Sequence, residues 1–581
     1  DSSRKSQVST MQENAQHRVF DIPELATLIT QYLSPRDIGR CMMTSKTFSR
    51  QLEPFFWSHP VLGGCNQHPK SLVRYACHFL SLEARPNSRF SFMRPAPPPL
   101  QITSNTLAAL PEFPRLRKFT IQAYEPNSFL LLYSHLVFHS PNLTELNLQY
   151  CFKSDSLSME HYLNALATTL PCLERLTIKY ESNDPTTGFR LLEVCFAHPQ
   201  LTELQCDFMM DNDLFPVINK RGTYDPRFAA LLKSLKSKNK NKSKAKADAG
   251  QRTGLRLKSL SLPDLYEGYP KTFLIPFLGS HVPNLERLCI PKVYKLDNEA
   301  DVRRLEETIE IGCPKLQHLS SNWENEDMYD EETYKGWNAF ISVLRGCAKA
   351  GLRTYQSRFF GNDRYSQGSI IENLLKYHGK TLEEIEFLDC YGLSSGSIQS
   401  ILSTCKSLRK LRMESRGDCI CELHFGDVLT EWVCRDITVL NLRLRRQVKV
   451  PQGRTEDEVT AEAAQRVYSQ IGCLVKLEDL TLTCYEEYSI WDDLEESCAY
   501  DLTLERGWLG EFAGLKRLRC IRMNYNYWCF MDQAEVEFID TNWLKLQSMT
   551  FYGYRSRYGP QLQMDHWKWL KERRPYIEFV L

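Results

Sequence analysis

The stretch Leu143-Thr144-Glu145-Leu146-Asn147-Leu148 has the pattern L-x-x-L-x-L, and this pattern returns along almost the whole chain. Most steps between copies are about 26 to 31 residues, which indicates a tandem repeat. The copies begin at Leu116, Leu143, Leu173, Leu201, Leu257, Leu285, Leu316, Leu352, Leu382, Leu408, Ile437, Leu477, Leu515 and Leu546. Because a repeat of fixed step decides the architecture, we interpret the other features of the chain around it.

The spacing within one copy predicts a strand. Leu146 and Leu148 are two residues apart, so in a strand both side chains point to the same side, which we expect to be the core. A helix-like segment lies between copies and often ends at a proline just before the next strand, as at Pro141. One strand and one helix cannot bury their apolar faces alone, so the copies must stack.

The repeat resembles the leucine-rich-repeat family, of the longer, helix-containing type that bends into a horseshoe. This resemblance implies an α/β fold, namely a curved solenoid with a parallel sheet on the concave face and helices on the convex face. We expect the solenoid to span residues 101–581. Its longest interval, from Leu201 to Leu257, holds a lysine-rich stretch that we interpret as a disordered insertion over about residues 221–250. A nuclear-localisation or nucleic-acid role for that stretch is the alternative.

Overall charge gives no case for nucleic acid or an anionic membrane. The chain of 581 residues has 72 Lys plus Arg and 71 Asp plus Glu, for a formal net charge of +1. Nucleic acid is therefore an unlikely partner, and the longest apolar run, around Phe129 to Phe138, falls short of the ~20 residues that a membrane span needs.

The cysteines indicate a reducing compartment. The chain has 20 of them, spread singly, and several lie at repeat junctions where small buried residues are expected. These junction residues include Cys172, Cys313, Cys347 and Cys405. We expect a cytoplasmic or nuclear protein with reduced thiols and no signal peptide.

Upstream of the repeats, the sequence predicts a polar disordered tail over residues 1–17 and then three short helices. The first helix starts at the capping box Asp21-Ile22-Pro23-Glu24, and the second at Ser34-Pro35-Arg36-Asp37. A third runs from about Ser45 to Trp57. Between these helices and the solenoid, residues 61–100 should hold a linking helix from Pro69 to Glu83 and an extended spacer from Pro95 to Pro99.

The three-helix segment, residues 18–60, resembles the F-box. Ile22-Pro23-Glu24-Leu25 matches the opening of the F-box pattern, and Tyr32-Leu33-Ser34-Pro35-Arg36-Asp37-Ile38 matches its middle. Cys41, Lys46 and the closing Phe56-Trp57 also match, whereas Thr44-Ser45 and Phe48 depart from it. The resemblance implies a surface for a Skp-type adaptor made of Ile22, Pro23, Leu25, Leu28, Leu33, Ile38, Lys46, Phe56 and Trp57. The alternative is a helical cap that only shields the open end of the solenoid.

No catalytic or metal-binding signature is found, and we expect no cofactor. His378-Gly379-Lys380-Thr381 resembles the end of a phosphate-binding loop, but Leu374 stands where that loop needs glycine. A second candidate is Cys419, Cys421, His424 and Cys434, whose spacing fits no common zinc finger.

The strand surface is the remaining candidate site. The third, fifth and seventh positions of each copy should face away from the core. In the later copies this frame places basic residues there, which would favour an acidic or phosphorylated segment of a protein. These candidate substrate-binding residues are Lys410, Arg412, Arg443, Arg517 and Arg519. An ordinary polar surface is the alternative.

An F-box segment followed by leucine-rich repeats implies a non-catalytic, substrate-recognition subunit of an SCF-type ubiquitin ligase. Its partners would be a Skp-type adaptor, a cullin scaffold and an unknown protein substrate. Two other functions stay open: a ligase-independent binding scaffold, and a receptor for a small anionic ligand such as an inositol phosphate. An enzyme comes last.

Overall fold

The computed structural model describes most of the repeat strands and part of what connects them. The described residues are 28–44, 46–59, 61–62, 74–84, 112–122, 139–153, 166, 169–181, 194, 197–209, 255–261, 278, 282–290, 299–323, 340–359, 364–388, 393–414, 421–445, 447–484, 502–504, 508–524, 531–552 and 565–580. The chain divides into two compact units, Asp1–Asp264 and Leu265–Leu581, here called the N-terminal and the C-terminal unit. Within the described residues, no helix has the length and apolar character to cross a membrane.

The N-terminal unit begins with helices and continues as a parallel sheet. Residues 28–30 are helical, and the helices α1 (Pro35–Thr44) and α2 (Lys46–Phe56) follow. A 3-10 turn covers Ala76–His78. The strands are β1 (Val61–Leu62), β2 (Ser81–Ala84), β3 (Lys118–Gln122), β4 (Glu145–Lys153), β5 (Arg175–Glu181), β6 (Glu203–Met209) and β7 (Ser259–Ser261). Each strand pairs in parallel with the next one along the chain.

The C-terminal unit is also a parallel sheet with helices between its strands. Its strands are β8 (Arg287–Ile290), β9 (His318–Trp323), β10 (Thr354–Phe359), β11 (Glu384–Leu388), β12 (Lys410–Glu414), β13 (Leu423–His424), β14 (Val439–Arg445), β15 (Asp479–Cys484), β16 (Cys520–Asn524), β17 (Ser548–Tyr552) and β18 (Glu578–Val580). Its helices are α3 (Glu299–Gly312), α4 (Arg364–His378), α5 (Ser395–Thr404), α6 (Glu456–Gly472), α7 (Trp508–Glu511), α8 (Gln533–Asn542) and α9 (Asp565–Arg573), and residues 340–346 are also helical. Short 3-10 turns cover Phe425–Asp427 and Phe512–Gly514.

The predicted repeat is confirmed as an α/β array built on a parallel sheet. Every residue that starts a predicted copy is buried. The strands are in register, so that Leu146 lies beside Leu176, and Leu148 beside Ile178. These side chains form a continuous row on one face of the sheet, which is the burial that a single copy cannot achieve alone.

One predicted repeat frame is wrong. The copy placed at Leu515 begins instead at Leu518, because the strand starts at Cys520 and Ile521 lies beside Met549 of the next strand. Leu515 and Leu518 are both buried, and the Leu518 N–H closes a turn onto the Leu515 carbonyl. Two buried leucines three residues apart fit the pattern equally well, so the sequence alone does not choose between them.

The predicted linking helix from Pro69 to Glu83 is also corrected. Residues Ser81–Ala84 form strand β2, which pairs with β3 as a further copy of the repeat. Phe79 and Leu82 of this copy are buried. A short run of apolar residues fits both a helix and a strand, and the ladder to the neighbouring strand decides for the strand.

A buried side chain three or four residues before most strand leucines ties each copy to the one before it. His198 bonds the Leu166 carbonyl at 2.7 Å, and Trp543 Nε1 donates to the Phe512 carbonyl at 3.2 Å. Cys434 Sγ donates to the Leu402 carbonyl at 3.2 Å. These carbonyls lie where helices end, so the donors satisfy groups that the helix itself leaves unpaired. We call this site the junction position.

The junction cysteines are buried thiols, with one correction. Cys313, Cys347 and Cys405 are buried as predicted, whereas Cys172 is exposed because it lies in the turn next to its leucine rather than at the junction position. Burial raises the pKa of Cys313 and of Cys405 to about 12, and it raises the pKa of Cys347 as well. These thiols therefore stay protonated at neutral pH.

We expect alkylation of the native protein to separate the cysteines by burial. Iodoacetamide at neutral pH should modify Cys172 and Cys473, which are exposed, and leave Cys313 and Cys405 intact, because the reaction needs an accessible thiolate. Peptide mass spectrometry of native and urea-unfolded protein measures the difference. Equal labelling of Cys405 in both samples would contradict the buried junction.

Candidate binding surfaces

Helix α1 starts as the sequence predicts. The Asp37 N–H donates to Ser34 Oγ at 3.3 Å, and the Ser34 hydroxyl donates to Asp37 Oδ2 at 2.6 Å. That hydroxyl is the main reason why the pKa of Asp37 lies below its usual value. The cap fixes the turn between residues 28–33 and α1, and so fixes where the side chains of both segments point.

Part of the F-box-like segment holds the helices on the first repeat. Ile38 and Leu52 are buried between α1 and α2. Trp57 stacks on Tyr75 with 4.6 Å between ring centroids and meets Phe56 edge-on at 5.4 Å. The Ser58 carbonyl accepts hydrogen bonds from the N–H groups of Leu80 and Ser81 at the start of β2. Ile38 and Trp57 therefore have an internal role, whatever else they contact.

Three large apolar side chains within residues 28–44 are exposed. Leu28 is 50% exposed, Tyr32 is 82% exposed and Met43 is 88% exposed. No other large apolar side chain in the described residues of the N-terminal unit is comparably open. Exposed apolar side chains that occur together in one short stretch of the chain indicate a candidate contact surface.

The other predicted adaptor-binding residues fall into two groups. Leu33 is half-buried, Phe56 is half-buried and Lys46 is exposed. Ile22, Pro23 and Leu25 lie outside the described residues, as do the predicted tail, the proline spacer and the lysine-rich insertion.

The strand face of the C-terminal unit carries three of the five predicted basic residues, and their charges are paired. Lys410 lies against Glu386 and within 3.8 Å of Glu384, and Arg412 lies 3.6 Å from the same Glu386. Glu384 and Glu386 belong to β11, the neighbouring strand, whose residues 384 and 386 lie beside 410 and 412. The basic pair is thus offset by carboxylates one strand away.

Arg443 has an acidic partner of its own. Glu422 is buried beside β13, and its carboxylate lies 3.3 Å from Arg443 Nε and 3.3 Å from Arg445 Nη1. Removing this buried carboxylate would leave two partly buried guanidinium groups without their partner, which is costly. Arg443 therefore already holds an anion that belongs to the protein.

Arg517 and Arg519 are not on the strand face, which corrects the predicted frame. Because the copy begins at Leu518, both residues precede strand β16, which starts at Cys520. The outward strand position is filled by Arg522, whose Nη1 donates to Asp479 Oδ1 at 2.7 Å. Arg517 and Arg519 lie at the turn that leads into the strand, and they are exposed there.

The strand face of the N-terminal unit also has ion pairs between neighbouring strands. Glu145 of β4 bonds both Lys118 of β3 and Arg175 of β5. Burial acts to raise the pKa of Glu145, but the hydrogen bonds from Lys118 and Arg175 outweigh it and hold the pKa below its usual value. One carboxylate thus pairs with two cations here and offsets one of their two charges.

The proposed zinc ligands have other surroundings. Cys421 and Cys434 are buried, His424 Nδ1 lies 3.6 Å from Asp427, and Cys419 is outside the described residues. In the part of the chain that is described, no three His, Cys, Asp or Glu side chains gather in a way that could hold a metal ion.

Comparison with known proteins finds similar solved structures, but no matching family model or curated protein. Among solved structures, the leucine-rich-repeat-containing protein LegL7 from Legionella pneumophila is 12% identical, with a TM-score of 0.25, and covers 55% of this chain and 99% of its own. The Rad7 and Elc1 complex in yeast is 13% identical, with a TM-score of 0.33, and covers 77% of this chain and 83% of its own. Such low TM-scores and identities assign no function to this chain.

Proposed function

We propose that this protein is a substrate-recognition subunit of an SCF-type ubiquitin ligase. Its N-terminal helices bind a Skp-type adaptor, which connects to a cullin scaffold, and its repeats bind a protein substrate. The observation that carries the proposal is the exposure of Leu28, Tyr32 and Met43 on a helical segment that otherwise matches the F-box pattern. These side chains are exposed, whereas Ile38 of α1 and Leu52 of α2 are buried, so the helices do not use the three exposed side chains as their own core.

The energetics suit a docking surface. A fully buried aromatic or Met side chain gains about 1.5–3 kcal/mol relative to water. Such anchors typically dominate the binding energy of an interface. The anchoring of Trp57 and Ser58 on the first repeat would give the bound adaptor a fixed connection to the repeat array.

The mechanism is positioning rather than bond chemistry. A substrate held on the repeats stays near the conjugating enzyme that the scaffold brings, so ubiquitin transfer becomes effectively intramolecular. The protein needs no catalytic side chain of its own for this role.

We expect Tyr32→Glu with Met43→Glu to weaken capture of the Skp-type adaptor by at least about 100-fold, since each lost anchor is worth roughly 1.5–3 kcal/mol. Both side chains are exposed, so the fold should be retained. The measurement is co-purification of full-length protein with the adaptor, followed by titration calorimetry. Leu429→Glu is the matched control, because Leu429 is an exposed apolar residue of the C-terminal unit, and it should bind the adaptor normally.

The second candidate is a binding scaffold that works without a ligase, in which α1 and α2 only cap the repeats. The hydrogen bonds from the Leu80 and Ser81 N–H groups to the Ser58 carbonyl favour this function, since a cap must attach to the start of the strand array. If wild-type protein never co-purifies with the adaptor, the ligase proposal is refuted and the scaffold proposal remains.

A further inference from the structure

The turns that lead into the strands of the C-terminal unit carry a row of basic side chains. Each turn before β9, β10, β11, β12, β14, β15, β16 and β17 contains at least one. These residues are Lys315, Lys349, Lys380, Lys406, Arg435, Lys476, Lys516, Arg517 and Lys545. We call this row the turn edge.

The fold holds these turns at one edge of the sheet. In all of these turns except the one before β10, the N–H of the leucine or isoleucine that starts the copy donates to a carbonyl three or four residues back, as Leu408 does to Cys405 and Leu546 to Trp543. The strands that follow are parallel and in register. The turns before β11 and β17 are five strand spacings apart, which is roughly 24 Å at ~4.8 Å per spacing.

The architecture itself does not require basic turns. Among the equivalent turns of the N-terminal unit, those before β3 and β7 have a basic residue, Arg115 and Arg256, whereas the turns before β4, β5 and β6 are Pro-Asn, Pro-Cys and Pro-Gln. The unbroken row over eight turns is therefore a property of the C-terminal unit, added to a turn that also folds without it.

The turn edge holds open charges together with charges in surface ion pairs, since Lys349 lies 3.3 Å from Glu310 and Arg435 pairs with Glu431. Lys380, Lys406, Arg517 and Lys545 are exposed and form no ion pair with any residue that the structure describes. Lys476 meets Asp436 at 2.7 Å and Arg519 approaches Glu478 at 3.8 Å, both at the surface, where such pairs contribute little. Side-by-side cations of this kind create a local positive potential on a protein whose net charge is only +1.

We infer that the turn edge binds an extended acidic segment of a partner protein. This inference rests on the proposed function only in making that partner the substrate. A segment that spans the row from Lys380 to Lys545 needs about seven extended residues at ~3.3 Å each. Lysine and arginine at successive turns pair with carboxylates along such a segment, and arginine can bind them through two hydrogen bonds.

Two features favour a peptide over a nucleic acid. Glu383, Asp436 and Glu478 interrupt the basic row, and they would repel the unbroken charge of a duplex, which carries one phosphate per ~1.7 Å of helix axis. Exposed aromatic side chains for stacking on single-stranded bases are also lacking, since among the described residues of this unit only Tyr576 is large, aromatic and well exposed. A peptide can place its carboxylates beside the cations and avoid the acids.

The test is binding of a labelled peptide of about 12 residues with alternating Glu and Ser, long enough to cross the row in extended form. Full-length protein should bind it in fluorescence anisotropy, with an affinity that falls as salt is added. Lys380→Glu, Lys406→Glu and Arg517→Glu together should weaken binding by at least about 10-fold, since like charges would then face each other. The matched control is Arg115→Glu, Arg117→Glu and Arg256→Glu, which changes the net charge equally at exposed residues of the N-terminal unit and should bind as the wild type does.

Three results would overturn the inference: equal binding by wild type and the C-terminal triple variant, equal loss in the control variant, or tighter binding of a duplex DNA of the same charge that displaces the peptide. If the first variant does not fold, a second variant with Lys380→Gln, Lys406→Gln and Arg517→Gln replaces it. This variant keeps the turns polar and should also weaken peptide binding. Adaptor capture is measured on the same samples. Peptide binding without adaptor capture would refute the ligase proposal alone, and adaptor capture without peptide binding would refute the turn edge alone.

Discussion

Trp543→Ala is expected to lower the free energy of unfolding of the last repeats by about 3–5 kcal/mol, the range for removing a buried tryptophan from a core. Trp543 is fully buried at the end of α8, and its ring meets Phe538 edge-on at 6.2 Å. Its Nε1 donates to the Phe512 carbonyl of the preceding copy, and its own carbonyl accepts from Arg574 Nη1 of the following copy at 2.9 Å. The substitution would leave a cavity and would remove one of the two hydrogen bonds that the Phe512 carbonyl accepts, the other coming from the Leu515 N–H.

Hydrogen exchange can locate this effect along the array. Strands β16, β17 and β18 should exchange faster in the variant, while β9 and β10 keep their protection, because repeats interact chiefly with their neighbours. Leu544→Ala is the matched control, since Leu544 is adjacent and 66% exposed. If protection from hydrogen exchange were lost evenly across the C-terminal unit, its repeats would unfold as one block, and this expectation would be wrong.

The leucine pattern predicted the sheet well because the pattern and the burial have the same cause. Residues two apart in a strand share a face, and the stacked faces make the core. It failed at Leu515 and at Ser81–Ala84, where apolar residues fit two frames or two kinds of element. In both places, pairing with the neighbouring strand determines the frame or the type of element. That strand lies some 30 residues away in the chain, so the local pattern does not contain this information.

The strand-face charges could not be predicted for a similar reason. Lys410 and Arg412 read as free cations in the sequence, yet Glu386 on the adjoining strand pairs with both. Arg443 reads the same way, and the buried Glu422 pairs with it. With the corrected frame, Arg517 belongs to the turn edge and Arg519 directly precedes strand β16. A sequence gives the charge of a residue, whereas the neighbouring repeat decides whether that charge remains available.

The junction position shows how different residue types fill one geometric role. His198, Cys434 and Trp543 share no size or charge, but each places a donor on a carbonyl of the preceding copy. A hydrophobic pattern does not reveal this requirement, because the unpaired carbonyl belongs to a residue about 30 positions earlier. The histidines at this position carry an additional consequence, since their donor belongs to a group that titrates.

His378 is held as a neutral ring. Its Nδ1 accepts a hydrogen bond from the Leu352 N–H at 3.1 Å, and its Nε2 donates to the Leu344 carbonyl at 2.8 Å. A second proton would have to sit on Nδ1, against the Leu352 N–H. Burial lowers the pKa of His378 below its usual value, as it does for His198 at the corresponding junction of the N-terminal unit.

Acidification is therefore expected to destabilise the protein from about pH 6.5 downward, because there the unfolded chain takes up a proton on each histidine and the folded chain does not. Stability is full above the unfolded pKa and falls with decreasing pH, until the lowered pKa of the folded state is reached. Each histidine can contribute up to ~1.4 kcal/mol per pH unit in this window.

Urea unfolding between about pH 7.5 and 5.5 measures the slope of the unfolding free energy against pH. His378→Gln keeps a donor and an acceptor without titrating in this range, so it should reduce that slope by the equivalent of up to one bound proton. Leu382→Ala is the control, since it removes buried volume without a titrating group and should lower stability at every pH while leaving the slope unchanged. If His378→Gln shows the wild-type slope, protonation of His378 does not limit the stability of the repeats in acid.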